Sequence, residues 1–294
     1  MNTNTHQKRI MYYVVLLSII SFAAYYISSQ FKGSPIASVI IMSSPALAAF
    51  IASALTGRSL KEIGWRVTPI RWLGIGWILP ILYAIPAYAL VWITGLGDVP
   101  SPTFLERARL TLNMPSSSDG LVIVTAFFYI TVINLLPSLI LSLGEEIGWR
   151  GFLVPELTQW IGFQNASLFS GILWASWHLP GFLAGEYGAI GTPKAYQFAC
   201  FTLMVITTGI VMAWLRMKSG SIIPVAIMHA THNGIIQVFL DRITADTGIT
   251  SYFTGEFGIA LIFFTLAMAL YFWRKPITGE VRALAFVGDG KDVY

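Results

Sequence analysis

The sequence predicts an all-α protein, a polytopic membrane bundle of about eight transmembrane helices. Of its 294 residues, 55% are hydrophobic and only 11% are charged, and the mean hydropathy is +0.69, which excludes an ordinary soluble domain. Eight apolar runs without Asp, Glu, Lys or Arg reach the ~20 residues that a helix needs to cross a hydrocarbon core. A transmembrane β-barrel would need shorter alternating segments, so the runs are predicted to be helical.

In chain order, the predicted spans lie near 10–29, 35–56, 72–94, 121–143, 166–184, 196–215, 221–240 and 257–273. The first follows Lys8 and Arg9 as a signal peptide would, but it is long and no small-residue cleavage site follows it, so we interpret it as a retained helix. The loop 95–120 contains the segment 104–110, which fits a short amphipathic interfacial helix and an ordinary loop equally well. No linker or low-complexity tract divides the chain, which predicts one integral membrane domain over 1–294 with its motifs in a core at 121–240.

The basic residues are distributed unevenly between the two sides of the predicted bundle. Alternate loops, counted from the N-terminus, hold 13 of the 18 Lys and Arg residues, and the other loops hold 5. The positive-inside rule therefore predicts a multi-pass protein of the cell membrane with both termini in the cytoplasm. The net charge of +4 then reflects topology and does not indicate a nucleic-acid partner. The single cysteine, Cys200, cannot form an intramolecular disulfide and says nothing about redox compartment.

A few ionisable residues interrupt this apolar chain. His178, His229 and His232 lie inside predicted spans, and Glu145 and Glu146 follow the end of another. Such groups are costly at membrane depth and usually serve a function. If the fourth helix continues through Arg150, Glu146 and Arg150 are spaced i, i+4 with the acid first, which favours an ion pair. Glu145 is rotated by about 100° from Glu146 and stays free.

Each of these features also has a purely structural interpretation. The acids and Arg150 could be a charged cluster that ends a helix at the interface, and a lone membrane histidine such as His178 could be a hydrogen-bonded packing residue. His229 and Asn233 share a helix face at i, i+4, and His232 either joins that face or flanks it. Together the residues supply a general base, a second proton acceptor and donors for an oxyanion, which is what hydrolysis requires.

The motifs that carry these residues resemble those of a known family. Glu-Glu-Ile-Gly-Trp-Arg-Gly-Phe-Leu-Val-Pro at 145–155, Trp174-x-x-x-His178 and His229-x-x-x-Asn233 resemble the three motifs of the CAAX protease and bacteriocin-processing family. These are the type II CAAX prenyl endopeptidase-like intramembrane proteases. Trp174 stands where the family commonly has Phe. The motifs span 145–233, and His232 matches no family position.

The resemblance implies an intramembrane endopeptidase that hydrolyses a peptide bond, near the C-terminus of a CAAX-like substrate or in another membrane-associated one. The implied partners are a peptide or protein, with or without a lipid modification, and membrane lipids. The implied roles fall in three pairs: Glu145 and His178 activate a water, His229 and Asn233 stabilise the tetrahedral oxyanion, and Glu146 and Arg150 support the site.

We predict that the protein requires either no cofactor or zinc. The family has been discussed both as metal-dependent and as a metal-free glutamate type. The chain has no HExxH motif, although Glu145, His178 and His229 could supply three zinc ligands with an open fourth position. Asn233 is a poor ligand but a good oxyanion donor, which favours the metal-free mechanism.

Two other functions remain open from the sequence. A proton-coupled transporter would also use buried His and Glu, but it predicts two-fold internal similarity that the sequence does not show. A non-catalytic membrane partner of immunity or scaffold type could keep the fold, although intact motifs argue against it. Because Glu145 lies nominally at the cytoplasmic end of its span, we expect the fourth helix to tilt, or to end inside a water-filled funnel that opens to the cytoplasm.

Overall fold

The computed structural model describes residues 3–31, 35–185, 187–275 and 277, and over these residues it contains helices and loops but no strand, which confirms the all-α prediction. The α-helices are α1 Thr3–Ser28, α2 Pro35–Thr56, α3 Ile70–Ile93, α4 Pro102–Leu112, α5 Asp119–Phe128, α6 Leu135–Glu146, α7 Val154–Trp177, α8 Leu179–Ala184, α9 Lys194–Ser219, α10 Ile223–Asn233, α11 Asp241–Ile243 and α12 Ala260–Trp273. Three π-helical segments extend α5, α6 and α10, at Tyr129–Ile133, Ile147–Leu153 and Gly234–Leu240. Short 3-10 turns lie at Ser29–Phe31, Leu60–Ile63 and Thr250–Tyr252.

The protein is a multi-pass membrane protein, but the count of eight spans is not confirmed. In the described part of the chain, five helices are long and apolar enough to cross a membrane, and a sixth span results if the pair Asp119–Ile133 and Leu135–Ala184, bent by 43°, is counted as one. The predicted fourth and fifth spans both lie on that bent pair. The predicted eighth is α12, an apolar helix of 14 residues.

The segment after α3 contains the short helix that the sequence left open. Helix α4 buries Phe104 and Ala108 and exposes its charged side chains, so the amphipathic-helix interpretation of 104–110 is confirmed and the ordinary-loop interpretation is wrong. The helix ends at Asn113, whose left-handed φ of 53° lets its N–H reach back to the last carbonyls.

The basic loops of the prediction meet at one end of the bundle, which we call the basic end (residues 3–9, 57–69, 154–156 and 216–222). Glu156 accepts there from Arg9 at 3.2 Å and pairs with Arg58 at 2.7 Å. Arg216 donates to the Ile63 carbonyl at 3.0 Å. The opposite end consists of 94–119, 187–193 and 244–259, joined by a backbone bridge between Asp98 and Ala245. Of the predicted basic residues, Lys32, Arg282 and Lys291 lie outside the described residues.

The helix that carries the two adjacent acids does not end at them. Helix α6 passes through the π-helical segment Ile147–Leu153 into the first part of α7, and this helical stretch runs as far as a break at Gly162 (φ 77°, ψ 163°), so Glu145 and Glu146 lie inside it. Glu145 therefore does not lie at the end of a helix, and its position at the membrane interface stays a prediction. Both carboxylates are buried. A π-helical segment inserted in an α-helix is often found at a functional site, and this one begins directly after Glu146.

Candidate active site

One cavity of about 660 Å³ collects the four residues for which a catalytic role was predicted. Glu145 reaches it from α6, His178 from the end of α7, and His229 and Asn233 from α10. Glu146 and Arg150 do not line the cavity and lie fully buried behind it. The structure thus brings together residues that lie up to 88 positions apart in the chain, from 145 to 233.

Glu145 is held by a tryptophan. Its Oε2 accepts a hydrogen bond of 2.8 Å from Nε1 of Trp174, and the residue is 3% exposed. No other hydrogen bond to this carboxylate occurs within the described residues, so its remaining acceptor positions are available to water in the cavity. From the sequence, Trp174 is recognised only as an aromatic residue, and its contact with Glu145 was not predicted. The signal was present, because tryptophan carries an N–H donor that phenylalanine lacks.

The predicted pair of Glu146 and Arg150 is confirmed, and Glu146 has a second partner. Nη1 of Arg150 donates to the two carboxylate oxygens at 2.9 and 3.2 Å. Nδ1 of His229 lies 2.8 Å from Oε1 of the same carboxylate. The guanidinium also lies 4.1 Å from the ring centre of Trp174, a cation–π contact. Glu146 therefore connects α6 to α10, a link across 83 residues that no local spacing could have revealed.

The imidazole of His178 is fixed in one tautomer by the backbone. Its Nδ1 lies 2.9 Å from the Trp174 carbonyl. A carbonyl only accepts, so Nδ1 carries the proton and Nε2 keeps its lone pair. The ring packs among aromatic residues, with ring centres 4.7 Å from Trp177, 5.0 Å from Phe201 and 5.5 Å from Tyr187. Nε2 is consequently free to accept a proton.

His229 and Asn233 form the second polar group of the cavity. Because Nδ1 of His229 donates to Glu146, its Nε2 remains for a ligand. Asn233 is half-buried, and its carboxamide makes no hydrogen bond to any residue that the structure describes. Both side chains leave α10 on the same face, as the i, i+4 spacing predicted.

His232 belongs to a different cluster in the cavity wall. Its Nδ1 lies 2.6 Å from the Tyr83 hydroxyl, and its Nε2 lies 2.9 Å from Oε1 of Glu256. Oε2 of Glu256 accepts from the Tyr187 hydroxyl at 2.6 Å. The sequence analysis left the role of His232 open and did not single out Tyr187 or Glu256. Neither belongs to a recognisable motif, and only the fold brings them to the cavity.

The zinc ligands considered from the sequence do not form a ready metal site. Among the residues described, no three His, Cys, Asp or Glu side chains are placed to hold a metal ion. Nε2 of His178 and of His229 would suit a metal chemically, but Glu145 does not join them as a third ligand.

The cavity extends away from the basic end. Its deep part is formed by Glu145, Met212 and His229, and it continues toward Ser28 at the end of α1 and Ala37 at the start of α2. These last residues lie near the opposite end of the bundle. The lining of the cavity therefore reaches the end of the bundle opposite the basic end, and a funnel that opens on the side of the basic loops stays a prediction.

Comparison with known proteins finds similarity to one family of proteases. Residues 123–235 match the model of the type II CAAX prenyl endopeptidase Rce1-like family. The chain is also 24% identical over 240 residues to CAAX prenyl protease 2 of Methanococcus maripaludis, with 78% of each chain covered. The chain is therefore similar to the Rce1-like family over the segment that carries the three motifs.

The Rce1-like segment contains all three motifs, whereas Tyr83 and Glu256 lie outside it. The similarity supports a protease.

Proposed function

We propose that the protein is an intramembrane endopeptidase in which Glu145 and His178 activate a water molecule. One observation carries this proposal: a carboxylate with free acceptor positions and an imidazole with a free Nε2 line the same cavity. Two proton acceptors around one water are a common arrangement for general-base hydrolysis. The water-filled interior of a helix bundle is also where buried ionisable groups are tolerated in a membrane.

The proposed reaction begins when a water bound between Glu145 and His178 gives a proton to the carboxylate. The oxygen of that water bonds to the carbonyl carbon of the scissile peptide, and the electron pair of the C=O bond moves to its oxygen. The C–N bond then breaks as the oxyanion collapses. The proton held by Glu145 passes to the departing nitrogen, which leaves an acid and an amine and returns the carboxylate to its starting state.

His229 and Asn233 are proposed to stabilise the oxyanion. In its protonated form, Nε2 of His229 can donate to the negative oxygen, and the Asn233 carboxamide supplies a second N–H donor from the same helix face. Glu146 orients His229 through Nδ1, and Arg150 balances the charge of Glu146. Donors that are already fixed before the reaction stabilise developing charge most effectively.

The proposed mechanism operates without a metal. The purified protein is expected to cleave its substrate with much less than one zinc per chain and to keep its activity after strong chelation. Elemental analysis and activity assays on the same preparation measure both quantities. One zinc per chain, with activity lost on removal and restored by zinc alone, would contradict the metal-free mechanism.

The proposed substrate is a membrane-associated peptide segment, either lipid-modified or not, cut near a CAAX-like C-terminus or elsewhere. Apolar side chains of α2 and α9, such as Ile41, Met42, Met204 and Val205, line the cavity beside its polar wall. Such a cavity can hold an apolar chain next to a peptide bond. Comparison of membrane peptides from cells with the wild type and with Glu145→Gln should show peptides that only the wild type produces. Identical peptide profiles at equal expression would count against a protease.

We also propose that the basic end faces the cytoplasm, which places both termini of this cell-membrane protein there. The described basic residues 8–9, 58–71 and 216–218 support this orientation, because basic loops are retained on the cytoplasmic side. With this orientation, the cavity extends toward the external half of the membrane.

A further inference from the structure

We propose that Tyr187 and Glu256, which lie outside the three motifs, are positioning residues that hold the His178 imidazole in place. This inference rests on the proposed function, because His178 is a proton acceptor in that mechanism. It begins from the polar cluster around His232, which the catalytic proposal leaves unused although it lines the catalytic cavity.

His178 needs support from its surroundings because it has only one hydrogen bond among the described residues. That bond joins Nδ1 to a carbonyl in its own helix, four residues earlier. It leaves the ring able to tilt about the Nδ1 contact. The orientation of Nε2 then depends on the side chains that pack against the two faces and the edge of the imidazole.

Tyr187 forms the stacked wall. Its ring is inclined by 26° to the imidazole at 5.5 Å, whereas Trp177 and Phe201 contact His178 edge to face. Tyr187 lies in the loop between α8 and α9, where its backbone N–H makes a long bond of 3.3 Å to the Gly181 carbonyl. A loop residue holds a catalytic group in place only if its own side chain is fixed.

Glu256 fixes the side chain of Tyr187. Its carboxylate accepts from the Tyr187 hydroxyl at 2.6 Å, and His232 contacts its other oxygen at 2.9 Å. Burial would raise the pKa of the Glu256 carboxyl, but hydrogen bonds from His232, Tyr187 and Gln237 lower it to about 2, so the group accepts hydrogen bonds at any working pH.

His232 is itself fixed from the other side. Its Nε2 carries the proton because a carboxylate only accepts, and its Nδ1 then accepts from the Tyr83 hydroxyl of α3 at 2.6 Å. A chain of three hydrogen bonds therefore runs from α3 through α10 and the segment before α12 to the ring that stacks on His178. This chain of hydrogen bonds gives a role to His232, which belongs to none of the three motifs.

The test uses Tyr187→Phe, which keeps the stacked ring and removes only the hydroxyl. Without it the ring can move, and the imidazole moves with it. We expect kcat to fall on the order of tenfold, as misplacement of a reacting group does, while KM stays within about twofold. Glu256→Ala should have the same effect. The double variant should be no slower than the slower single variant, because both remove one interaction.

A matched control and a second readout separate positioning from general damage. Tyr196 also donates its hydroxyl to the segment before α12, at the Tyr252 carbonyl, but it does not line the cavity. Tyr196→Phe should keep wild-type kinetics. The chain has four histidines, so ¹⁵N-histidine spectra can follow His178, assigned by its loss in His178→Gln. Its signal should show one tautomer in the wild type and in Tyr196→Phe, and exchange in Tyr187→Phe.

The two readouts also distinguish this inference from the proposed function. Wild-type kcat in Tyr187→Phe together with an unchanged His178 signal would overturn the positioning role, as would a double variant whose loss equals the product of the two single losses. If the wild type hydrolyses no peptide but Tyr187→Phe still disturbs the His178 signal, the protease proposal fails and the positioning contact stands.

Discussion

At the residue scale, Trp174 contacts residues of the candidate active site on three helices. Its Nε1 donates to Glu145, its carbonyl accepts from His178, and its ring faces Arg150 at 4.1 Å and the edge of His229 at 5.5 Å. One residue, through its side chain and its backbone carbonyl, therefore contacts groups from all three motifs. Phenylalanine could replace the packing of the indole ring, but it could not replace the N–H donor.

Trp174→Phe should reduce kcat/KM on the order of tenfold, because Glu145 loses the donor that sets its orientation. The ring that packs against Arg150 remains, so we expect thermal stability in detergent to change little. Trp214→Phe is the matched control, since the Nε1 of Trp214 has no hydrogen-bond partner in the described residues. Equal activity of Trp174→Phe and wild type would show that the Glu145 contact is unimportant.

At the residue scale, the sequence predicted contacts within one helix and missed those between helices. The Glu146–Arg150 pair follows from a spacing of four residues and was confirmed. The bond from His229 to Glu146 spans 83 residues and depends on how α6 packs against α10. The catalytic roles of Glu145, His178, His229 and Asn233 remain predictions.

At the scale of elements, the position of α10 depends on a close contact between its backbone and that of α3. A Cβ atom built on Gly76 of α3 would lie 2.2 Å from the carbonyl oxygen of Pro224 on α10. A backbone atom cannot move aside as a flexible side chain can. Because α10 carries His229 and Asn233, this glycine sets the position of the proposed oxyanion donors.

Gly76→Ala should destabilise the protein by about 1–3 kcal/mol, the usual cost of overpacking, and should also lower the cleavage rate. Gly74→Ala on the same helix is the control, because a Cβ there meets no atom within 4 Å. Its stability should lie within about 1 kcal/mol of the wild type. Thermal unfolding in detergent with parallel cleavage assays measures both. Equal stability of the two variants would contradict the close packing.

Hydropathy predicted where apolar helices run but not where they join. The polar stretch between the predicted fourth and fifth spans looked like a loop, yet its helix is broken only at Gly162, and Glu146, Arg150 and Glu156 are buried in the helical part before that break. Glu146 and Arg150 pair with each other within this helix, whereas Glu156 pairs with Arg58, which is distant in sequence. A hydropathy profile counts such residues as exposed because it contains no information on pairing.

At the scale of the whole molecule, the separation of basic loops predicts an orientation that can be measured. In a Cys200→Ser background, single cysteines replace Val67 at the basic end and Ser116 at the opposite end, both exposed. A membrane-impermeant thiol reagent added to intact cells should label position 116 and not position 67. Labelling of position 67 alone would reverse the orientation and place the cavity toward the cytoplasm.

The central claim is that Glu145 activates water while Glu146 supports the site, and three variants test it directly. Glu145→Gln keeps the shape of the side chain and removes its basicity, so cleavage should fall by at least ~10²-fold in a protein of unchanged thermal stability. Glu146→Gln and Arg150→Gln should have milder defects on cleavage that are not additive in the double variant, as expected for one ion pair.

The decisive measurement is the cleavage rate of the purified variants at equal folded concentration. We expect Glu145→Gln to be folded and nearly inactive. An inactive, stable Glu146→Gln beside an active Glu145→Gln would reverse the two roles, and full activity in both variants would contradict the protease mechanism itself.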